Sequence, residues 1–177
     1  MRYFDSDILT VADELTDAYV EIFTAPPWHQ RDPDATRSAF RERLETDARR
    51  SGFRAVLAVS ADGEVDGFAT GWLTQAPFRT DRAYGKVIRR LGADWVEEFL
   101  VGTFEIDELG VRSRARGTGL ARLLLSAITT TAPHGRAWLL TWSEALDTLA
   151  FYRHLGWQEP DPLPGSETDI VVFQAPG

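Results

Sequence analysis

One stretch constrains this chain more than any other: Phe104 to Ile128, FEIDELGVRSRARGTGLARLLLSAI. It opens as a strand, turns through a basic loop and continues as an amphipathic helix. The loop is Arg112-Ser113-Arg114-Ala115-Arg116-Gly117-Thr118-Gly119. Gly117 and Gly119 have no Cβ, so a ligand can approach the backbone there. The helix that starts near Gly119 points the unpaired N–H groups of its first turn outward, and its dipole favours anions. Three arginines in five residues add positive charge, and together these features describe a site for a phosphate-bearing ligand. The same residues also fit an ordinary strand-to-helix turn with solvated arginines. A P-loop would need Lys and a hydroxyl after the last Gly, where Leu120-Ala121 stand. A dinucleotide fingerprint would need Gly at the position of Arg122.

The composition suits one folded domain spanning residues 1–177. Hydrophobic content of 44% and six Trp support a core without staples. There is no Cys, hence no disulfide framework, no thiolate metal site and no cysteine nucleophile. The start, MRYFDSDILT, lacks the regions of a signal peptide, and no apolar run approaches the ~20 residues of a membrane span. A cytoplasmic enzyme is expected. The net charge of −8 argues against general nucleic-acid binding and suits an anionic cofactor held at a local basic loop.

Ile8, Val11, Ala12, Leu15, Tyr19, Ile22 and Phe23 have helical spacing over 8–23, with Asp7 or Thr10 as its cap. Pro26-Pro27-Trp28 stops this helix. Asp32-Pro33 reads as an N-cap followed by Pro at the first helical position, starting a second helix that runs to about Arg50. Its stripe of Phe40, Leu44 and Ala48 is thin, which places it at the surface. Phe53–Ser60 and Val65–Leu73 read as a hairpin around Asp62-Gly63, interrupted by Gly67 and Gly71 and forming one edge of the sheet. Residues 75–101 are longer than a connection requires and suggest one or two short helices around Gly92. This insertion is expected to cover an acceptor site or to form a dimer contact, or else to be a packed embellishment.

After the strand at Thr103–Val111, Leu120, Leu123, Leu124, Ala127 and Ile128 give the next helix one apolar face. Ala137–Trp142 is a buried strand, Ala145–Leu155 a helix with Gly156 at its C-terminal cap, and Trp157–Glu159 with Asp169–Gln174 a closing antiparallel pair. The order implies a mixed α/β fold with a mostly antiparallel central sheet and helices on both faces. The strands at 104–111 and 137–142 flank one crossover helix and should be parallel neighbours.

Arg116-Gly117-Thr118-Gly119-Leu120-Ala121 matches [QR]-x-x-G-x-[GA] and follows Glu108-Leu109-Gly110-Val111 at the spacing of the GCN5-related N-acetyltransferases. Further on, Phe151-Tyr152-Arg153-His154-Leu155-Gly156-Trp157 resembles their F-Y-x-x-x-G-[FW] motif. The chain thus resembles that superfamily in element order over residues 53–174, with motif-level similarity at 104–128 and 149–157. The resemblance implies a splayed parallel strand pair that admits acetyl-CoA as co-substrate, with no metal. It implies that Leu109, Gly110 and Val111 pair with the pantetheine arm. The backbone at Gly117, Thr118, Gly119, Leu120 and Ala121 would hold the pyrophosphate, with Arg116 and Arg122 adding charge.

Acetyl transfer to an amine needs a neutral amine, a polarised carbonyl and a protonated leaving thiolate. Without Cys, direct attack in a ternary complex is the expected route. By resemblance Tyr152 is the general acid, since a phenol with pKa near ~10 can protonate a thiolate. Glu108, then Glu105, are candidate bases, although a solvated or substrate-binding carboxylate fits those positions equally. Asp107 and Trp28 are candidate acceptor-binding residues, with Glu144 weaker. His29, His134 and His154 show no metal spacing. Two departures stand out: Ser113 where relatives often have Pro, and Ala145 where many have Asn. The expected acceptor is a small-molecule primary amine. The alternatives are a protein amine or a non-catalytic acyl-CoA-binding module. Dimers are common among similar proteins, and the sequence leaves the oligomeric state open.

Overall fold

The computed structural model describes residues 1–25 and 32–176. The described strands are β1 (Arg2–Phe4), β2 (Arg54–Val59), β3 (Val65–Leu73), β4 (Phe104–Val111), β5 (Ala137–Trp142) and β6 (Ile170–Gln174). The described helices are α1 (Ala12–Thr24), α2 (Pro33–Asp47), α3 (Tyr84–Leu91), α4 (Ala93–Phe99), α5 (Leu120–Thr129) and α6 (Leu146–His154). The strands form one mixed sheet in chain order, the mixed α/β fold that the element order implied and the architecture that the family resemblance implied. Contacts divide the chain into two compact units. The first is Met1–Trp72 with Ile106–Thr131; the second is Leu73–Glu105 with the residues from Ala132 onward.

In the first unit β2 and β3 form the expected antiparallel hairpin, with Ala55 opposite Thr70 and Leu57 opposite Phe68. The hairpin is not the sheet edge. β1 lies outside it, pairing Arg2 with Leu57 and Phe4 with Ala55. Only Phe4 of its three residues is buried, so β1 is too short to show the two-residue period that betrays a strand. Gly67 does not interrupt β3. A Cβ there would stand 2.8 Å from the Gly110 carbonyl oxygen, so the glycine lets the two backbones approach.

The helix expected from residue 8 begins instead as a 3₁₀ turn over Ser6–Val11, and α1 proper starts at Ala12 without a side-chain cap. Asp7 accepts from the Asp5 N–H and Thr10 donates to the Asp7 carbonyl, so neither caps α1. α2 starts as expected, with the Asp32 carboxylate accepting from the Ala35 N–H at 2.7 Å and Pro33 beside it. It ends at Asp47 rather than near Arg50, and its thin stripe is buried at Phe40, Leu44 and Ala48. Tyr19 of α1 stacks on Phe40 at 3.8 Å, and Arg37–Asp17 and Arg41–Asp13 pairs join the two helices at the surface. α5 buries Leu124, Leu125 and Ile128, while Leu123 is 58% exposed. Its inward face is therefore rotated about one residue from the expected one, because three successive leucines make several stripes equally apolar.

In the second unit α3 and α4 flank Gly92, whose φ of 89° ends one helix and starts the next. Their Val87, Leu91, Val96 and Leu100 pack in one cluster with Trp138 of β5 and Ile170 and Val172 of β6. The buried Trp138 indole donates to the Thr74 hydroxyl at 2.7 Å, as a buried Trp N–H requires. β6 pairs antiparallel with β5, Leu139 opposite Phe173. The expected partner at 157–159 contributes only the single bridge Gln158 to Gln174, since the two residues after it turn away into a loop. No described helix is long and apolar enough to cross a membrane.

Candidate active site

The glycine loop follows β4 as a 3₁₀ turn over Ser113–Ala115 and then an extended Arg116. Gly117 has φ 75° and Gly119 φ 83°, left-handed conformations that cost an L residue roughly 1 kcal/mol or more. Gly119 is the N-cap of α5, and nothing lies within 4 Å of the position of a Cβ on either glycine. Residues 116–119 are exposed, no acidic residue stands in the first turn of α5, and Arg122 is exposed on that turn. Orphan N–H groups, helix dipole and cation thus coincide at an open helix start, the physical requirement for an anion.

The three loop arginines are not equivalent. Arg112 is buried and faces Glu21 at 3.1 Å and Glu64 at 3.4 Å. Arg114 pairs with Glu64 and, at 2.8 Å, with Asp66. Both therefore fasten the loop to acidic groups instead of offering charge to a ligand, which corrects the reading of three arginines as one positive patch. Arg116 is exposed and donates from Nε to the Val111 carbonyl at 3.2 Å. Thr118 donates its hydroxyl to the Ala115 carbonyl, leaving its backbone as the group a ligand would meet.

β4 carries the carboxylates. Leu109 and Val111 are half-buried and Gly110 is buried, with Ile22 and Phe68 against the place a Cβ would occupy. Glu108 accepts from the Arg43 guanidinium at 2.5 Å and from the Tyr19 hydroxyl at 3.5 Å. Arg43 also lies over the Tyr19 and Phe40 rings. Burial alone would push the Arg43 guanidinium down, but the charges of Glu108 and Asp107 outweigh it and hold it above the usual arginine range. Asp107 and Glu108 therefore both act on one cation, although simple strand alternation would separate them.

Glu105, in the second unit, is 4% exposed and accepts from the Tyr84 hydroxyl at 2.8 Å. Arg79 stands over the Tyr84 ring at 5.1 Å. A hydrogen bond to Asp81 is the largest cause holding Arg79 above the arginine range, and the charge of Glu105 adds to it.

Tyr152 lies in the last turn of α6, buried among Phe151, Trp157 and Phe173 with ring centroids 5.2–5.8 Å away. The helix closes through two bonds: Trp157 N–H to the Tyr152 carbonyl at 3.1 Å and Gly156 N–H to the Arg153 carbonyl at 3.0 Å. Gly156 has φ 80°. This is a Schellman cap, and the Tyr152–Trp157 ring contact is its hydrophobic seal.

Ala145 is the N-cap of α6 and makes no side-chain cap, while Glu144 is exposed just before it. Trp28 and His29 lie outside the described residues. His134 and His154 stand apart, and no group of three potential metal ligands occurs among the described residues. Sequence reasoning missed Arg43, Tyr19 and Tyr84. A usable signal existed for Tyr84: it extends the apolar stripe Val87–Leu91 back one turn, and a buried phenol needs a polar partner.

Comparisons with known proteins bear on these residues. The model of the acetyltransferase (GNAT) family matches residues 12–157. None of the curated proteins compared with the chain matches it. Among solved structures, the chain is similar to a GNAT-family acetyltransferase from Staphylococcus aureus Mu50, at 14% identity and TM-score 0.61, covering 98% of this chain and 97% of that one. It is similar to the PaiA N-acetyltransferase of Thermoplasma acidophilum in complex with coenzyme A, at 12% identity and TM-score 0.61, covering the whole of both chains. It is also similar to Naa20 of Chaetomium thermophilum in complex with a bisubstrate analogue, at 18% identity and TM-score 0.56, covering 99% of this chain and 85% of that one. At such identities the likeness concerns the fold.

Proposed function

Because the chain belongs to the acetyltransferase (GNAT) family, we propose that it is an acetyl-CoA-dependent N-acetyltransferase, with residues 1–177 as one domain. The acceptor is the primary amine of a small molecule. The observation that carries the donor half is the open start of α5: exposed residues 116–119, two left-handed glycines, no carboxylate in the first turn and Arg122 upon it. The backbone of 117–121 with Arg116 and Arg122 would bind the pyrophosphate. Leu109–Val111 would pair with pantetheine, and a backbone N–H there would polarise the thioester carbonyl.

The amine gives up a proton to a carboxylate and attacks the carbonyl carbon directly. As the C–S bond breaks, the thiolate takes the Tyr152 phenol proton, which solvent restores. For the base we favour Glu105 over Glu108. Glu108 is committed to Arg43, and a carboxylate held by a guanidinium is a poor proton acceptor. The buried Glu105 accepts a hydrogen bond from the Tyr84 phenol, and the Arg79 guanidinium acts on its charge from over that ring.

Calorimetric titration with acetyl-CoA, followed by thiol-release assays on small amines and peptides, tests this reading. Binding with turnover on small amines is expected. Absence of binding to any CoA thioester would refute it, turnover on peptides alone would move the acceptor to protein, and binding without turnover would leave a non-catalytic acyl-CoA module. Tyr152→Phe should lower kcat by about a hundredfold while sparing acetyl-CoA affinity. If affinity collapses instead, the phenol is a binding or structural group.

A further inference from the structure

Residues 75–101 lie outside both family motifs, yet they put a phenol on a buried carboxylate. Tyr84 is the first residue of α3 and is 3% exposed. Its ring is held by Phe78 at 5.5 Å and Trp138 at 6.4 Å, both edge-on, with Arg79 at 5.1 Å over its face. Arg79 is itself fastened to Asp81, Nε to Oδ1 at 2.8 Å. A ring packed on three sides has little rotational freedom, so its hydroxyl is a fixed donor. That donor meets Glu105 Oε1 at 2.8 Å.

We infer that Tyr84 is a positioning residue for Glu105, setting the plane of the carboxylate and favouring its ionised form, and that this is the task of the insertion. The inference rests on the reading of Glu105 as the base. A hydrogen bond to the charged form of an acid stabilises that form, so a carboxylate held this way is ready to accept a proton at a lower pH than it would be without the phenol. Among the charged and titratable groups that face it are Tyr84 from α3 and Arg79 from the segment before α3. On its own strand the next acid on the same side by alternation is Asp107. A helical embellishment that served only packing would gain nothing from a hydroxyl here, and phenylalanine would fill the place.

Tyr84→Phe removes the hydroxyl and keeps the ring. Two measurements on the whole chain decide the matter. In the first, carboxylates are labelled with carbon-13 and followed by NMR against pH, the Glu105 signal being identified by its loss in Glu105→Gln. Glu105 should titrate at a higher pH in Tyr84→Phe than in the wild type. In the second, kcat falls about tenfold near neutral pH, the acidic limb of the kcat profile moves to higher pH, and KM for acetyl-CoA is unchanged. In a Glu105→Gln background the same substitution should have no further effect on kcat. An unshifted Glu105 titration overturns the inference whatever the activity. So does a kinetic loss without any move of the pH limb, or one that follows the melting temperature alone. A wild-type protein that releases no thiol with any amine refutes the acetyltransferase reading, and the NMR titration still decides the link between Tyr84 and Glu105.

Discussion

Glu105 and Glu108 stand three residues apart on β4, and their surroundings differ in kind. Glu108 is gripped by a guanidinium from α2, with the Tyr19 hydroxyl alongside. Glu105 is deeper, 4% exposed, and accepts its hydrogen bond from a neutral phenol of α3, with the Arg79 charge acting on it from over that ring. A fixed cation keeps a carboxylate charged and occupied, whereas a neutral donor orients it without neutralising it. In the proposed function Glu108 does structural work and Glu105 chemical work, and each substitution that follows tests that division.

The largest expected effect is on rate. Glu105→Gln should lower kcat by about 10²–10⁴, the usual contribution of a general base, with little change in melting temperature. Glu108→Gln should do the reverse. Near-equal kinetic losses in the two variants would erase the distinction. Arg43→Ala comes next, measured as stability by denaturant unfolding. It leaves Glu108 without its cation in a site where Arg43 is 27% and Glu108 14% exposed, so about 2 kcal/mol is expected, below the cost in a fully buried pair. The double variant Arg43→Ala/Glu108→Ala should cost less than the sum of the two single changes, and simple additivity would mean that the pair contributes no coupling.

Smaller again is the donor loop. Gly119→Ala adds backbone strain alone and Gly119→Asp adds strain plus negative charge. The aspartate should bind acetyl-CoA about tenfold more weakly than the alanine variant by calorimetry, and equal affinities would discard the anion role of the α5 start. The smallest effect concerns acid. Asp81 and Asp169 are held below the usual carboxylate range, first by hydrogen bonds from Arg79 and Lys86. A lowered folded pKa gives stability that is fully present above the ordinary value near ~4 and is lost as pH falls through the lowered one. Below about pH 4 the melting temperature of the wild type should therefore fall slightly faster than that of Asp81→Asn or Asp169→Asn. Parallel curves would show that these exposed pairs carry no pH-dependent stability.

The two motifs were legible because each encodes a backbone demand. Gly117 and Gly119 are needed where φ is positive, and Gly156 where a helix must close. α2 announced itself through Asp32-Pro33, and β3 and β5 through bounded apolar runs. β1 was silent because three residues carry no period, and α5 was misaligned by one residue because Leu123, Leu124 and Leu125 are interchangeable in a pattern. The candidate site was half legible. A carboxylate's position in a strand can be read from sequence, but its partner cannot, since Arg43 lies 65 residues from Glu108 and Tyr84 lies 21 from Glu105. Nothing local links them, and only packing brings a guanidinium to one and a phenol to the other.

The cap that closes α6 bears on which lengths can change. Tyr152 and Trp157 touch each other and share a main-chain bond, and Gly156 makes the reversal between them. The spacing from Tyr152 to Trp157 is thus a ruler. One residue added or removed within Arg153–Leu155 would carry the phenol about 100° around the helix axis and off its aromatic seat. Beyond Trp157 the ties are single ones, Gln158 bridging Gln174 and the Leu163 N–H donating to the Arg90 carbonyl at 2.7 Å, so a residue added between them leaves the Tyr152 seat untouched. Insertions that tune this protein without moving its phenol therefore belong in the second interval and never in the first.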